Sequence, residues 1–377
     1  MTAPRNSVPR WAWAEIDVGA VAHNVETLLG LVAPAQLWVV VKADAYGHGA
    51  VTVARAALAA GATGLCVALT SEGVALRDAG IDAPVLVLSE QPPEHAAVLV
   101  AHDLVPTVYS AAGIDALAAL RYEGLPVHLK LDTGMHRVGA DPDDVSALVE
   151  RIVGCAPWLR LDGVFTHLAV ADEPEDAFTA AQLERFDAAL ATVERSVARS
   201  QVHAANSAGA IAHPAARRSI VRAGIAVYGI SPGPQLDDRC AELRSVLSLK
   251  ARVSFVKRVA AGERVSYGLL HRFAAPATVA TVPIGYADGV RRSLFPGQDV
   301  LIGGRRRPIV GVVTMDQLMV DCGDDDVAVG DEVVLIGAQG GERIRAEEWA
   351  VRLGTIGYEI VCGIGARVPR VVVGEPS

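Results

Sequence analysis

Eight short apolar runs punctuate the first two thirds of the chain, at residues 37–41, 65–69, 84–88, 105–109, 127–131, 161–166, 202–205 and 219–223. Alanine-rich stretches with apolar residues at helical spacing separate them. Continuous hydrophobicity over so few residues suits strands buried on both faces, and buried strands of this kind belong to parallel sheets with helical crossovers. One helical pattern covers 50–60 and stops at Gly61; Ser71 opens another, Asp141-Pro142 a third, and the longest is predicted over 177–200. Eight strand-plus-helix units in one run predict an α/β fold, a (β/α)8 TIM-like barrel. An open doubly wound sheet is built from the same units, because counting them does not show closure.

The pattern changes after about Arg239. Extended segments at 248–259, 277–283, 300–303, 308–313, 318–321 and 333–336 alternate with Gly, Asp and Pro turns, and one helix is predicted at 345–353. A barrel over residues 1–245 followed by a mostly-β C-terminal domain over 246–377 is the expected organisation, with the N-terminal residues able to join the β domain.

Composition excludes several classes. Of 377 residues, 51% are hydrophobic and 20% charged, ample for a large core. With 34 Lys and Arg against 43 Asp and Glu, the net charge of −9 argues against a nucleic-acid or anionic-membrane surface. The basic cluster Arg305, Arg306 and Arg307 lies between a glycine pair and Pro308, which predicts a solvated hairpin tip. Cys66, Cys155, Cys240, Cys322 and Cys362 are scattered, odd in number and without metal-ligand spacing, as reduced thiols of a cytoplasmic protein would be. Met1 to Arg10 is polar, with no signal-peptide core, and the apolar stretches are too short for a membrane span.

In a parallel barrel the active site lies at the carboxyl ends of the strands. There the sequence places Lys42-Ala-Asp-Ala-Tyr46-Gly-His-Gly49, Lys130-Leu-Asp-Thr-Gly-Met-His-Arg137, His167, Asn206-Ser207 and Arg222-Ala-Gly224-Ile225. Each has a plain structural reading: a lysine reaching for water, a core histidine, a helix cap, an ion pair. Their gathering at one end of the sheet is what points to chemistry.

The run from Val39 through Lys42 and Tyr46 to Gly49 resembles the cofactor-lysine signature of the alanine racemase family. Further similar motifs follow in order: Lys130 to Gly139, Val221 to Gly229, Val265-Ser-Tyr267-Gly, Ile284-Gly-Tyr286-Ala-Asp-Gly289, Met315-Asp316-Gln317 and Tyr358-Glu-Ile-Val-Cys362. The resemblance covers nearly the whole chain, from about Trp13 to Val372. It implies a barrel followed by a β domain, working as a homodimer with the active site shared between subunits. By the same resemblance, Lys42 would form a Schiff base with pyridoxal 5′-phosphate. Tyr46, Ser207, Gly224, Ile225 and Tyr358 would hold the phosphate, and Asn206 and His167 would also bind the cofactor. Arg137, Met315, Asp316 and Tyr286 would bind the substrate. Arg222, supported by His167, would face the pyridine nitrogen. Lys130 matches a lysine that can be carbamylated in relatives, and no metal is implied.

The implied reaction is interconversion of L- and D-alanine by two bases, Lys42 and Tyr267, the latter from the partner subunit, with D-alanine serving peptidoglycan. An amine and a phenol ordinarily deprotonate near pH 10, so both would need neighbouring positive charge to act near neutrality. Arginine has donors only and cannot favour a protonated ring nitrogen, which would restrain side reactions such as transamination. The chain departs from many relatives at Asp44 (commonly Asn), Ala223 (commonly Pro) and Thr314 (commonly Cys), none of them a proposed catalytic group. Three alternatives stay open on the sequence: a racemase for serine or another small amino acid, decarboxylation or aldol cleavage on the same architecture, and a non-catalytic pyridoxal-phosphate binding protein.

Overall fold

The computed structural model describes residues 10–193, 196 and 201–374. The polar stretch expected at the N-terminus therefore lies outside the described residues except for Arg10, as does most of the expected 177–200 helix beyond residue 193. The chain divides into two compact units, one formed by Gly19–Arg244 and the other by residues 10–18 together with 245–374.

Strand β1 (Ala12–Asp17) belongs to the second unit. The first unit is built on eight parallel strands: β2 (Gln36–Val40), β3 (Gly64–Val67), β4 (Val85–Val87), β5 (Val105–Val108), β6 (Leu125–Lys130), β7 (Leu159–Phe165), β8 (Gln201–His203) and β9 (Ile220–Ala223). They lie in chain order, with β9 returning to pair with β2. Between β8 and β9, the Ser219 N–H donates to the Val202 carbonyl (2.9 Å) and the Arg222 N–H to that of Ala205 (3.0 Å), which closes the ring. The expected barrel is thus present, and the open-sheet alternative falls away. Strands β3, β4, β5 and β9 are buried at every residue, the reason their sequences read as unbroken apolar runs.

Two glycines let large side chains occupy the barrel interior. A Cβ on Gly64 would stand 2.6 Å from the Trp38 ring, and one on Gly163 would stand 2.5 Å from His128 Nδ1. Trp38 and His128 stack with ring centroids 5.9 Å apart. Bare backbone facing an aromatic ring is how the barrel reaches close packing here.

The second unit is mostly β. One sheet has the order β16-β15-β18-β10-β1-β20, where β10 is Leu247–Arg252, β15 Asp299–Ile302, β16 Arg305–Pro308, β18 Glu332–Gln339 and β20 Arg370–Val373, and β19 (Glu342–Ile344) pairs with β18 to one side of this path. Thus β1, from the start of the chain, completes this sheet, antiparallel to β10 and parallel to β20. A three-stranded sheet joins β11 (Phe255–Val259), β14 (Ala277–Val282) and β17 (Leu318–Asp321), and β12 (Arg264–Val265) pairs with β13 (His271–Arg272). Phe273, Ala277, Val279 and Val310 form a buried cluster beneath the latter strands.

Two expectations are corrected. The arginine cluster is not a hairpin tip: Gly303 and Gly304 make the turn at φ of 61° and 73°, and Arg305–Pro308 is the strand that leaves it. Arg305 and Arg307 pair with Asp325, and Arg306 with Glu342 and Glu348. The expected strand 308–313 does not form beyond Pro308, the last residue of β16. Pro308 lacks a donor and Gly311 turns at φ 68°, so only an isolated bridge from Ile309 to Val320 forms. No helix among the described residues is long and apolar enough to cross a membrane.

Candidate active site

Lys42 leaves β2 into an unusual turn. Ala43, Asp44, Ala45 and Tyr46 have φ of 51–54° and ψ of 38–52°, one turn of left-handed helix. For L-residues that hand costs about 1–2 kcal/mol per residue, so the surroundings must impose it. Asp44 Oδ1 accepts the Ala50 N–H (2.7 Å), and the Asp44 carbonyl accepts the Gly49 N–H (2.9 Å). The turn folds Tyr46 inward, 8% exposed, with its ring 4.9 Å from that of Tyr228.

Arg222 points into the same end of the barrel and is 3% exposed. Its Nη1 donates to His203 Nδ1 (2.7 Å), and its Nη2 donates to the Thr166 (2.8 Å) and Ala204 (3.2 Å) carbonyls. His167 Nδ1 lies 3.3 Å from the same Nη2. The guanidinium also lies over the Phe165 ring, 5.0 Å from its centroid. Since arginine only donates, His203 must accept at Nδ1 and carry its proton on Nε2, which meets His128 Nδ1 at 3.0 Å. Burial first, and the Arg222 charge second, hold both His167 and His203 well below the ordinary histidine pKa, so both are neutral. Burial lowers Arg222 itself to about 10, still protonated at neutral pH.

Lys130, at the end of β6, is 5% exposed and also lies over the Phe165 ring, 5.6 Å from its centroid. Burial, then the charges of Arg222 and Arg137, lower its pKa to about 8. Lys42 adds to the same cationic field, acting on Lys130, His167 and Cys66. Arg137 is exposed on the loop after β6. Asp132 braces that loop by accepting the Gly134 (2.9 Å) and His136 (3.0 Å) N–H groups.

Beside Tyr46, Ser207 Oγ accepts the N–H groups of Gly224 (2.9 Å) and Ala226 (3.3 Å), and Ile225 opens the short turn that follows. Asn206 caps the helix Ser207–Ala212 by accepting the Gly209 N–H (2.8 Å). A Cβ on Gly224 would stand 2.5 Å from the Tyr46 hydroxyl, so only bare backbone lets the tyrosine approach. Two hydroxyls and several backbone amides therefore meet in one place.

In the second unit, Tyr267 is 73% exposed. It follows Ser266, held at φ 64° and ψ 179°, and precedes Gly268 (φ 75°) and Leu269 (φ 51°). The Ser266 hydroxyl donates to the Val312 carbonyl (2.7 Å), anchoring this strained segment. Tyr286 and Met315 are also exposed, and their loops are joined by the Tyr286 N–H to the Thr314 carbonyl (2.9 Å) and the Ala287 N–H to that of Met315 (3.0 Å). Asp316 accepts from Arg367 Nη2 (2.7 Å). Tyr358 is half-buried on the helix Gly357–Cys362.

The structure thus groups Lys42, Tyr46, Lys130, His167, Asn206, Ser207, Arg222, Gly224 and Ile225 on one unit, and Tyr267, Tyr286, Met315, Asp316 and Tyr358 on the other. Sequence reasoning missed His203 and Asp288. A histidine inside the apolar run 202–205 was a usable signal, since a buried histidine needs partners. Asp288 is fully buried and accepts both Arg10 Nη1 (2.8 Å) and Nη2 (2.6 Å), the Gly285 N–H (3.0 Å) and an ion pair from Arg367 (3.3 Å). It ties the Tyr286 loop to the chain ends, which no local pattern announces.

Comparison with known proteins matches both units over their length. The family profile for the alanine racemase N-terminal domain matches residues 16–232, and that for the C-terminal domain matches residues 246–372. The alanine racemase of Symbiobacterium thermophilum is 48% identical, covering 98% of each chain, and that of Thermobifida fusca is 44% identical, covering 97% of this chain and 98% of its own. Among solved structures, alanine racemase from D-cycloserine-producing Streptomyces lavendulae superposes with a TM-score of 0.92 at 37% identity, covering 98% of both chains. The Bacillus anthracis enzyme with bound L-Ala-P gives 0.91 at 38% identity, covering 99% of this chain and 97% of its own. With the barrel, the β unit and the full length all matched, the chain belongs to the alanine racemase family, isomerases that interconvert L- and D-alanine with pyridoxal 5′-phosphate.

Proposed function

We propose that Lys42 and Tyr267 are the two groups that carry the α-proton of alanine, one on each face of the substrate carbon. Racemisation removes a proton from one face and returns one to the other, so one positioned acid–base group per face meets its requirement. Bound pyridoxal 5′-phosphate supplies the electron sink that makes the α-proton removable. Lys42 would hold its aldehyde carbon. Tyr46, Ser207, Gly224 and Ile225 would hold its phosphate, with Asn206 fixing the helix start and Tyr358 as a further donor. Arg222 and His167 would face its ring.

The donor set fits that cofactor. Gly224 gives up its side chain where a Cβ would meet the Tyr46 hydroxyl. Arg222 presents donors only and is fixed by His203 and two carbonyls, so it could only donate to a ring nitrogen facing it and would not favour that nitrogen's protonation. The observation that carries the reading most directly is this buried, donor-only Arg222, 3.3 Å from His167 Nδ1, on the strand that pairs with β2, from which Lys42 emerges.

Arg137, Met315, Asp316 and Tyr286 are assigned to substrate binding. Lys130, with its pKa lowered to about 8, becomes about half neutral near pH 8, and the neutral amine is the form that takes up CO2. Its carbamate would orient Arg137. Tyr267, exposed on its strained segment, is assigned to the barrel of a partner copy, making the working enzyme a homodimer with shared sites. We place the enzyme in the cytoplasm, a reading supported by five cysteines that form no disulfide among the described residues, and its D-alanine would serve peptidoglycan.

Purified protein should convert L-alanine to D-alanine and back only when loaded with pyridoxal phosphate, and should act on alanine in preference to serine. A yellow, folded, cofactor-loaded protein that forms no D-alanine would overturn the reading.

A further inference from the structure

The carboxyl rim of the barrel is laced by side chains that join one strand exit to the next. Glu90 accepts the Tyr109 (2.7 Å) and Ser110 (3.0 Å) N–H groups after β5. Gln91 binds Thr70 and the Ala68 carbonyl after β3. Gln182 joins Thr133 after β6 to the His167 carbonyl after β7.

Glu72 is the member of this set that reaches the Lys42 turn. Its Oε1 accepts the Ala43 N–H at 2.6 Å, and its Oε2 accepts those of Ala68 (2.8 Å) and Leu69 (3.0 Å). One carboxylate thus joins the exit of β2 to the exit of β3. The bond to Ala43 falls on the residue that follows Lys42 and begins the left-handed turn. That turn opposes the intrinsic preference of four successive L-residues, so it needs external bonds at its start as well as the Asp44 bonds at its end.

We infer that Glu72 is a positioning residue for Lys42: its bond to the Ala43 N–H holds the left-handed turn and so aims the lysine amine. This rests on the reading that Lys42 carries the cofactor.

Glu72→Gln separates this role from simple capping. The single amide oxygen satisfies the two donors at Ala68 and Leu69, which leaves the NH2 group facing the Ala43 N–H, donor against donor. The helix start is kept and the bond to the lysine turn is lost. Glu90→Ala is the control, since it removes a staple of the same rim that touches no residue of the site.

The full-length protein is resolved from cofactor and titrated with pyridoxal phosphate by visible absorbance, with melting temperature and amide exchange over residues 43–49 measured alongside. Glu72→Gln should weaken cofactor affinity at least tenfold and speed exchange in 43–49, with no greater loss of melting temperature than Glu90→Ala. Glu90→Ala should stay within twofold of wild-type affinity. Wild-type-like affinity in Glu72→Gln, or equal weakening in Glu90→Ala, would overturn the proposal. Lys42→Ala reports on the underlying reading separately: it should abolish covalent retention of the cofactor. Retention there would defeat the assignment of Lys42 itself, whatever Glu72→Gln does.

Discussion

Arg222 and Lys130 both lie over the Phe165 ring and answer to the same buried surroundings in different ways. Arg222, at about 10, stays charged at neutral pH, whereas Lys130, at about 8, titrates within reach. Because the folded state lowers the Lys130 pKa, its neutral amine, and with it carbamylation, should rise as the pH is taken from 7 to 9. Native intact-mass measurement in bicarbonate should show one added CO2 that Lys130→Ala lacks; an unmodified mass at pH 9 would remove the carbamate from the mechanism. At Arg222, replacing the fixed donor by a carboxylate should allow the ring nitrogen to hold a proton. Arg222→Glu should therefore slow racemisation by roughly 10²-fold or more and raise the share of turnovers lost to transamination. An unchanged partition between the two would show that the arginine does not restrain that side reaction.

The strands of the barrel were legible because burial on both faces leaves an unbroken apolar run, and all eight runs fall on β2 to β9. Their carboxyl ends then pointed to Lys42, Lys130, His167, Ser207 and Arg222 without further knowledge. The second unit was harder to read. Strand β16 is three arginines and a proline, hidden from any hydrophobic pattern because Asp325, Glu342 and Glu348 neutralise it from elsewhere in the chain. The left-handed turn after Lys42 was also invisible, since alanines carry no mark of it and its bonds come from Glu72 and Asp44. At Gly224 the structure makes a sharp demand on one element. Gly224→Ala would drive a methyl to 2.5 Å from the Tyr46 hydroxyl, and titration should show pyridoxal-phosphate affinity reduced about tenfold, near 1.4 kcal/mol. Affinity equal to wild type would mean that Tyr46 and Gly224 do not form the phosphate cradle.

For the whole molecule, the chain supplies two kinds of parts: a barrel holding a buried cationic site, and a β unit presenting an exposed tyrosine on a strained segment. β1 makes the division discontinuous, since the residues that precede the barrel complete the sheet of the other unit. No stretch of sequence shows which barrel Tyr267 serves; its 73% exposure is what supports assignment to a partner copy. The central claim is that Lys42 and Tyr267 each carry a proton on their own face, and hydrogen exchange tests it most directly. Tyr267→Phe, loaded with pyridoxal phosphate in D2O, is given L-alanine and D-alanine separately, and deuterium at the α-carbon and inversion are followed together. The two-base account predicts racemisation slowed by roughly 10²–10⁴-fold, while the α-proton of one enantiomer still exchanges without inversion, through Lys42. Racemisation within a few-fold of wild type, or exchange retained equally for both enantiomers, would contradict it.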